Sequence, residues 1–547
     1  MGEGAHPASV AVLTGLASAL MASADVAAAA SCVVPHRSRS RLSVRRALLR
    51  AATAPSLDDA VPDSIRDSIR EHPWRGGLEP CGDYAHLDAH VVAGSLPPDL
   101  RGTLYRNGPG RLRLGSTLYA HWFDGDGAVT SLRLDGSTCA VSSRLLQTPR
   151  VVAQRGETDA WRVRGAWTQA SPWWRNLLAL PTNPANTSVV RWAGKLLALC
   201  EGGPPLEFDA GTLETKRQAV PLGSPRLLGF GAHCKVDPVD GHLYNVGTQL
   251  PALDLRVFKL NADGIEVASN VVSFGGNLAF VHDFAISERH VALFILPVTA
   301  SPKDQALSVL GQQALGGALR WHDDTPARCV VLRKSDLQVV LDCPDVPPFS
   351  SYHTANAYEH GDLLSVQVAK LIGPREDLER RFENMYAAVF GREQYNALHT
   401  YTFDLAARQF IGSEATLPPT SGALPMDFPV VHPGHLGRRA RYIYSTAHSG
   451  ACGFFDAVQK CDTATGTACV RLCPPGEYPS EVTFVPRAGG TEEDAGWVLY
   501  LSYVAATHTT TLTIVDAARF GDAPLCVLQL PRHVPHGFHG WWDPMAA

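Results

Sequence analysis

Leu255-Arg-Val-Phe-Lys-Leu260, followed at once by the turn Asn261-Ala-Asp-Gly264, sets the fold class. Apolar residues alternate with Arg256 and Lys259, the period-2 pattern of a strand with one buried face, and Asp-Gly closes it with a hairpin signal. The same grammar recurs along the chain. It reads Val129–Leu134 before Asp135-Gly136, then Thr400–Leu405, Ala440–Thr446, Trp497–Tyr503 and Thr511–Val515. Helical periodicity is scarce, and the spacing predicts helices only near Asp304–Leu319 and Arg375–Phe390. The body is therefore all-β. So many short strands exceed one sandwich, and either two sandwiches or a propeller of about six to eight blades accommodates them. No Gly/Ser-rich linker divides the region, which favours a single closed structure. No internal repeat fixes the blade count.

Composition narrows the function classes. The chain has 547 residues, with 48 Lys+Arg against 53 Asp+Glu, and the resulting net charge of -5 argues against a nucleic-acid binder. Hydrophobic content of 45% with 18% charged residues is that of a globular protein. No apolar run is long enough to predict a spanning helix. Met1–Pro55 stands apart: Ala- and Ser-rich, with Arg37, Arg39, Arg41, Arg45, Arg46 and Arg50 and only Glu3 and Asp25 as acids. That is the make-up of an organelle transit peptide, for plastid or mitochondrion. A secretory signal is the rival reading of the apolar stretch Val10–Ala30, but no basic region precedes it. The twelve cysteines form no CxxC pair, and Cys461, Cys469 and Cys473 lack a fourth zinc-ligand neighbour, so reduced thiols are expected.

The 21 histidines are the remaining chemical signal. His233 lies in Gly231-Ala-His-Cys-Lys-Val-Asp-Pro238. His282 lies in Phe280-Val-His-Asp-Phe-Ala-Ile286, where an extended strand would place it on one face with Phe280 and Phe284. His353 lies in Ser351-Tyr-His-Thr-Ala-Asn-Ala357, and His539 in Val534-Pro-His-Gly-Phe-His-Gly-Trp541. Singly, each reads as a hydrogen-bonded core histidine. Their wide separation excludes a ligand pair on one helical turn but suits one ligand from each of several strands. His533, His536 and His539 recur at spacing three, but Pro531, Pro535 and Gly537 forbid a helix that would align them, so His533 and His536 read as surface residues. His432 and His435 flank a Pro-Gly turn and carry no assignment.

Taken together and in order, these segments resemble the carotenoid cleavage dioxygenase family. Supporting motifs are Leu96-Pro-Pro-Asp-Leu-Arg-Gly-Thr-Leu-Tyr-Arg-Asn-Gly-Pro109, His121-Trp-Phe-Asp-Gly-Asp-Gly127 and Pro184-Ala-Asn-Thr187. Leu199-Cys-Glu-Gly-Gly203 and Pro479-Ser-Glu-Val-Thr-Phe-Val-Pro486 extend the set, so the resemblance covers about residues 75–542. It implies a seven-bladed β-propeller over residues 75–547 behind a leader at 1–55, with a dome of helices and loops above an axial iron site. It implies one Fe(II) per chain held by His233, His282, His353 and His539. Glu201, Asp427 and Glu481 would orient three of these imidazoles through their second ring nitrogen. Asp427 departs from the family, which has glutamate there, and the shorter side chain is expected to reach its histidine after a backbone shift or through a water.

The implied activity is cleavage of one double bond of a carotenoid or apocarotenoid, with O2 as co-substrate and aldehydes or ketones as products. Within the resemblance, a retinoid isomerohydrolase-like enzyme and a non-catalytic carotenoid-binding propeller are the alternatives. An apolar substrate drawn from a membrane predicts an exposed apolar patch and peripheral membrane contact. Two segments qualify as candidates: Trp173-Trp174 with Leu177, Leu178 and Leu180, and an amphipathic helix carrying Leu307, Val309, Leu310, Leu315 and Leu319. The same resemblance places the protein in the plastid, with the mitochondrion as alternative.

Overall fold

The computed structural model describes residues 63–544 apart from 116, 157–162, 225, 250–253, 275–277, 280 and 373–394. The leader at 1–55 and the helix expected at Arg375–Phe390 therefore lie outside the described residues.

Leu255–Leu260 falls within the strand Asp254–Leu260, which pairs antiparallel with both Leu243–Gln249 and Glu266–Val272. Both of its faces are buried rather than the one expected: Leu255 and Val257 pack into one core, Phe258 and Leu260 into another, and Arg256 and Lys259 are half-exposed. Repeated along the chain, this unit gives seven antiparallel sheets of four or more strands, the blades of a seven-bladed propeller. Blade 1 is built on Arg101–Arg111 and Asp126–Asp135, blade 2 on Ser188–Trp192 and Lys195–Leu199, and blade 3 on the hairpins around Asp254–Leu260. Blade 4 contains His290–Ile295 and Ala327–Arg333, and blade 5 contains Ser350–His360 and Leu363–Ile372. Blade 6 contains Tyr442–Ala447 and Ala457–Asp462, and blade 7 contains Gly496–Val504 and Thr509–Asp516. Apolar residues of adjacent blades interleave. Leu104, Leu132 and Val141 of blade 1 share one core with Leu499, Leu512 and Ile514 of blade 7.

Ring closure uses both ends of the described chain. The C-terminal strand Gly540–Pro544 pairs with Arg101–Arg111 of blade 1, and the early strand His90–Gly94 pairs with Cys526–Gln529 of blade 7. The two chain ends are thus tied into the first and last blades, whose sheet edges remain short and protected.

Two sequence expectations are corrected here. His533 and His536 are buried, not at the surface. The 3-10 helix Pro73–Leu78 packs over them, and their Nε2 atoms lie 2.9 Å from the carbonyl oxygens of Glu79 and Trp74. No helix runs through Asp304–Leu319. The helix is Pro302–Val309, capped by the Ser301 side chain, and a separate 3-10 turn occupies Gly316–Ala318. Gly311 ends it at φ +70°, where a Cβ would lie 2.8–2.9 Å from Asn176 and Leu177. The backbone approaches that neighbour too closely for a side chain. Among the described residues no helix is long and apolar enough to cross a membrane.

Candidate metal centre

Each blade delivers one polar residue to the axis. His539 directly precedes the edge strand Gly540–Pro544 of blade 1, His233 lies two residues before the edge strand Lys235–Val236 of blade 3, and His353 lies within the edge strand Ser350–His360 of blade 5. His282 lies three residues ahead of the edge strand Ala285–Ile286 of blade 4, in extended chain rather than on the strand expected from sequence. Phe284 is buried in the core between blades 3 and 4. Phe280 is outside the described residues. Blades 2, 6 and 7 contribute Glu201, Asp427 and Glu481.

The four predicted histidines converge. One ring nitrogen from each lies within 4.8 Å of the others, and the Nε2 atoms of His233 and His282 are 2.9 Å apart. Neighbouring ligands on an ion at about 2.1 Å stand about 3 Å apart when they subtend a right angle. Three rings face a carboxylate through Nδ1: His353 and His539 are hydrogen-bonded to Asp427 and Glu481, and His282 Nδ1 lies against Glu201 Oε1, each at 2.6 Å. An Nδ1–H donating to a carboxylate leaves the Nε2 lone pair directed at the axis. His353 Nε2 is buried there without a hydrogen-bond partner. Buried polar nitrogens of this kind are rare unless something fills the space they face. The three carboxylates and Arg106, which pairs with Glu481 at 2.5 Å, together carry a net charge of −2, the complement of a divalent cation. The residues fit a metal ion.

Electrostatics keep the donors available. Burial, reinforced by the neighbouring imidazoles and Lys235, drives the pKa of His233 well down, and burial likewise lowers that of His539. Both rings are therefore neutral and can bind a cation. His353 goes the other way: burial pulls it down, but the Asp427 carboxylate outweighs it. Burial favours a protonated Glu481, yet its contacts with His539 and Arg106 overcome it and hold the carboxyl at about 2.

Asp427 reaches His353 directly, so neither intervening water nor a longer side chain is required. The strand Met426–Val430 changes register between Asp427 and Val430, and Phe428 takes φ +53°. Such a bulge re-aims a side chain, at about 1–3 kcal/mol for a non-glycine residue in the left-handed region. Phe428 in turn lies against the rings of His353 and His539, at 5.0 and 5.3 Å.

Aromatic rings cluster around the histidines, and the sequence did not disclose them. Tyr352 lies 5.5 Å from His282, Phe123 touches Tyr352 and Phe538, and Phe428 touches Phe455. Asp124 fixes the covering loop by accepting hydrogen bonds from the backbone N–H groups of Ala166, Trp167 and Thr168. Arg106, also missed, sits inside the motif that carries the family resemblance. Only its contact with Glu481, far away in the chain, reveals its role.

The two apolar candidates form one surface. Trp173 and Trp174 are 64% and 60% exposed, and Leu177, Leu178, Leu180 and Leu310 are also exposed, whereas Leu319 is buried. The Leu178 N–H donates to Val309 O at 2.8 Å. The buried Arg164 guanidinium ties both segments together, donating to Asn176 O, Ala179 O, Ser308 Oγ and Gln313 O.

Comparison with known proteins agrees with this geometry. Residues 79–544 match the family model described as retinal pigment epithelial membrane protein. The chain is 32% identical over 477 residues to the apocarotenoid-15,15'-oxygenase of Synechocystis, covering 82% of this chain and 92% of that protein. It is 26% identical to the chloroplastic carotenoid cleavage dioxygenase 7 of Oryza sativa, covering 86% of this chain and 90% of that one. The crystal structure of cobalt-substituted Synechocystis apocarotenoid oxygenase superposes with a TM-score of 0.77 at 29% identity, covering 86% and 98% of the two chains. A propeller with four axial histidines, matched along nearly its whole described length, belongs to the retinal pigment epithelial membrane protein family, the family of the carotenoid oxygenases.

Proposed function

We propose that this protein is an Fe(II)-dependent dioxygenase that cleaves one carbon–carbon double bond of a carotenoid or apocarotenoid, with O2 as co-substrate, to give aldehyde or ketone fragments. The observation that carries this reading is the axial set His233, His282, His353 and His539, with three rings tethered to Glu201, Asp427 and Glu481. Four imidazole ligands suit ferrous iron and leave up to two positions open. Bound there, the iron supplies dioxygen activation. The chain supplies the rest. The carboxylates keep each tethered Nδ1 proton on the side away from the axis. Burial excludes bulk water, and Phe123, Tyr352, Phe428 and Phe538 offer apolar faces along which a polyene can be aligned.

Anaerobic reconstitution with Fe(II), followed by aerobic incubation with a panel of carotenoids and apocarotenoids, tests this. Paired carbonyl fragments identified by mass are expected. Isomerised but unbroken polyene would instead indicate a retinoid isomerohydrolase-like enzyme. Failure to take up about one iron per chain would leave a non-catalytic carotenoid-binding propeller.

The patch formed by Trp173, Trp174, Leu177 and Leu310 supports peripheral docking on a membrane from which an apolar substrate enters. Each indole has on the order of 100 Å² of apolar area to bury, worth about 2–3 kcal/mol. Trp173→Ser with Trp174→Ser should reduce co-flotation with phosphatidylcholine vesicles at least about tenfold; unchanged flotation would refute the assignment. The leader supports plastid import, in line with the chloroplastic relative. Accumulation of a fluorescent protein fused behind residues 1–55 in mitochondria or the secretory pathway would count against it.

A further inference from the structure

We propose that Asp283 is a positioning residue of the metal centre, a single buried carboxylate that locks three of the four histidine-bearing segments into one frame. The inference rests on the reading of the four histidines as a metal site. Asp283 follows His282 directly, and its side chain is 2% exposed. One carboxylate oxygen accepts from the backbone N–H and lies 2.8 Å from the Oγ1 of Thr354, the residue after His353. The other pairs at 2.7 Å with Nζ of Lys235, two residues after His233. Blades 3, 4 and 5 thus meet on one side chain, immediately behind the imidazoles they carry.

The backbone alone holds these segments weakly. The edge strands beside His233 and His282 are Lys235–Val236 and Ala285–Ile286, two residues each, so the ladders there contribute few hydrogen bonds. In blade 5 the register with Leu363–Ile372 shifts on both sides of Thr354, so pairing does not fix His353 either. It is at this irregular point that Thr354 donates to Asp283. The fourth ligand is held separately: Gly540 N–H donates to Glu481, Arg106 donates to Phe538 O, and His539 exchanges backbone hydrogen bonds with Asn107 and Thr187. Four ligands on four blades are rigid to one another only if such ties exist, because metal affinity depends on donors that need not be reorganised.

The test uses the full chain and metal alone. Apo protein is titrated anaerobically with Co(II), read by its visible absorption, and with Fe(II) against a chelator. If the unmodified protein takes up no metal, the metal-site reading itself fails. Asp283→Ala combined with Lys235→Met severs the tie without leaving an orphaned charge. Metal binding should weaken about 10- to 100-fold, with a changed Co(II) spectrum and an apo melting temperature within a few degrees of the parent. Thr354→Val, which removes the hydroxyl but keeps the backbone N–H bond to Asp283, should weaken binding about threefold or more. Parent-like affinity and spectrum in the double variant would overturn the proposal. If the double variant does not fold, the same result in Thr354→Val would overturn it.

Discussion

Exchanging His282 for alanine is expected to lower metal affinity by about two to three orders of magnitude, and turnover with it, while the propeller stays folded. Structural zinc sites with four protein ligands bind with roughly 10–16 kcal/mol, which sets the scale of one ligand at about 3–4 kcal/mol. His282 is a severe choice because its Nε2 lies 2.9 Å from that of His233 and its Nδ1 lies 2.6 Å from Glu201. Neither contact joins two strands, and the ladders of blade 4 between His290–Ile295 and Ala327–Arg333 are untouched. Circular dichroism should be unchanged while iron content falls. Retained cleavage at parental rate would show that the ligand set is wrong.

Replacing Arg106 by methionine is expected to cost about 3–5 kcal/mol of stability, more than any surface ion pair could. Arg106 is 3% exposed and its guanidinium joins Glu481 to the carbonyl of Phe538, so its loss leaves a buried carboxylate short of its counter-charge. Urea unfolding reads the loss. Linkage gives the sign of its pH dependence. Glu481 is held from 4.5 down to about 2, so the stability it contributes is present above about pH 4.5 and fades as pH falls through 2. The gap between parent and variant should therefore be largest at neutral pH and narrow in acid. Adding Glu481→Gln to Arg106→Met should recover part of the lost stability, since the unpaired charge goes with it. A variant as stable as the parent at pH 7 would refute the assignment.

Much of the fold was legible because short runs rich in apolar and β-branched residues, bounded by turn residues, read as strands. Trp497–Tyr503 and Thr511–Val515 fall within Gly496–Val504 and Thr509–Asp516, which pair with each other. The misreadings share one cause, contact between residues remote in sequence. His533 and His536 stand beside prolines, which reads as exposed loop until Pro73–Leu78 folds across them. The interval Asp304–Leu319 has apolar residues at helical spacing, but Gly311 and Gly316 serve close approaches to Asn176 and Trp167 that no local pattern announces. Asp427 looked one methylene short, and a bulge in its own strand supplies the reach.

Short strand-like runs closed by turn residues carried the all-β class, and motifs spread along the chain singled out four histidines and three acids. Those motifs could not show that one residue comes from each of seven blades. They also could not show that Arg106, Asp283 and Lys235 stand behind the ring of imidazoles, nor that two apolar segments merge into one surface. These are facts of tertiary structure, because the atoms involved are brought within hydrogen-bond distance only when the propeller closes and its sheet edges meet at a common axis.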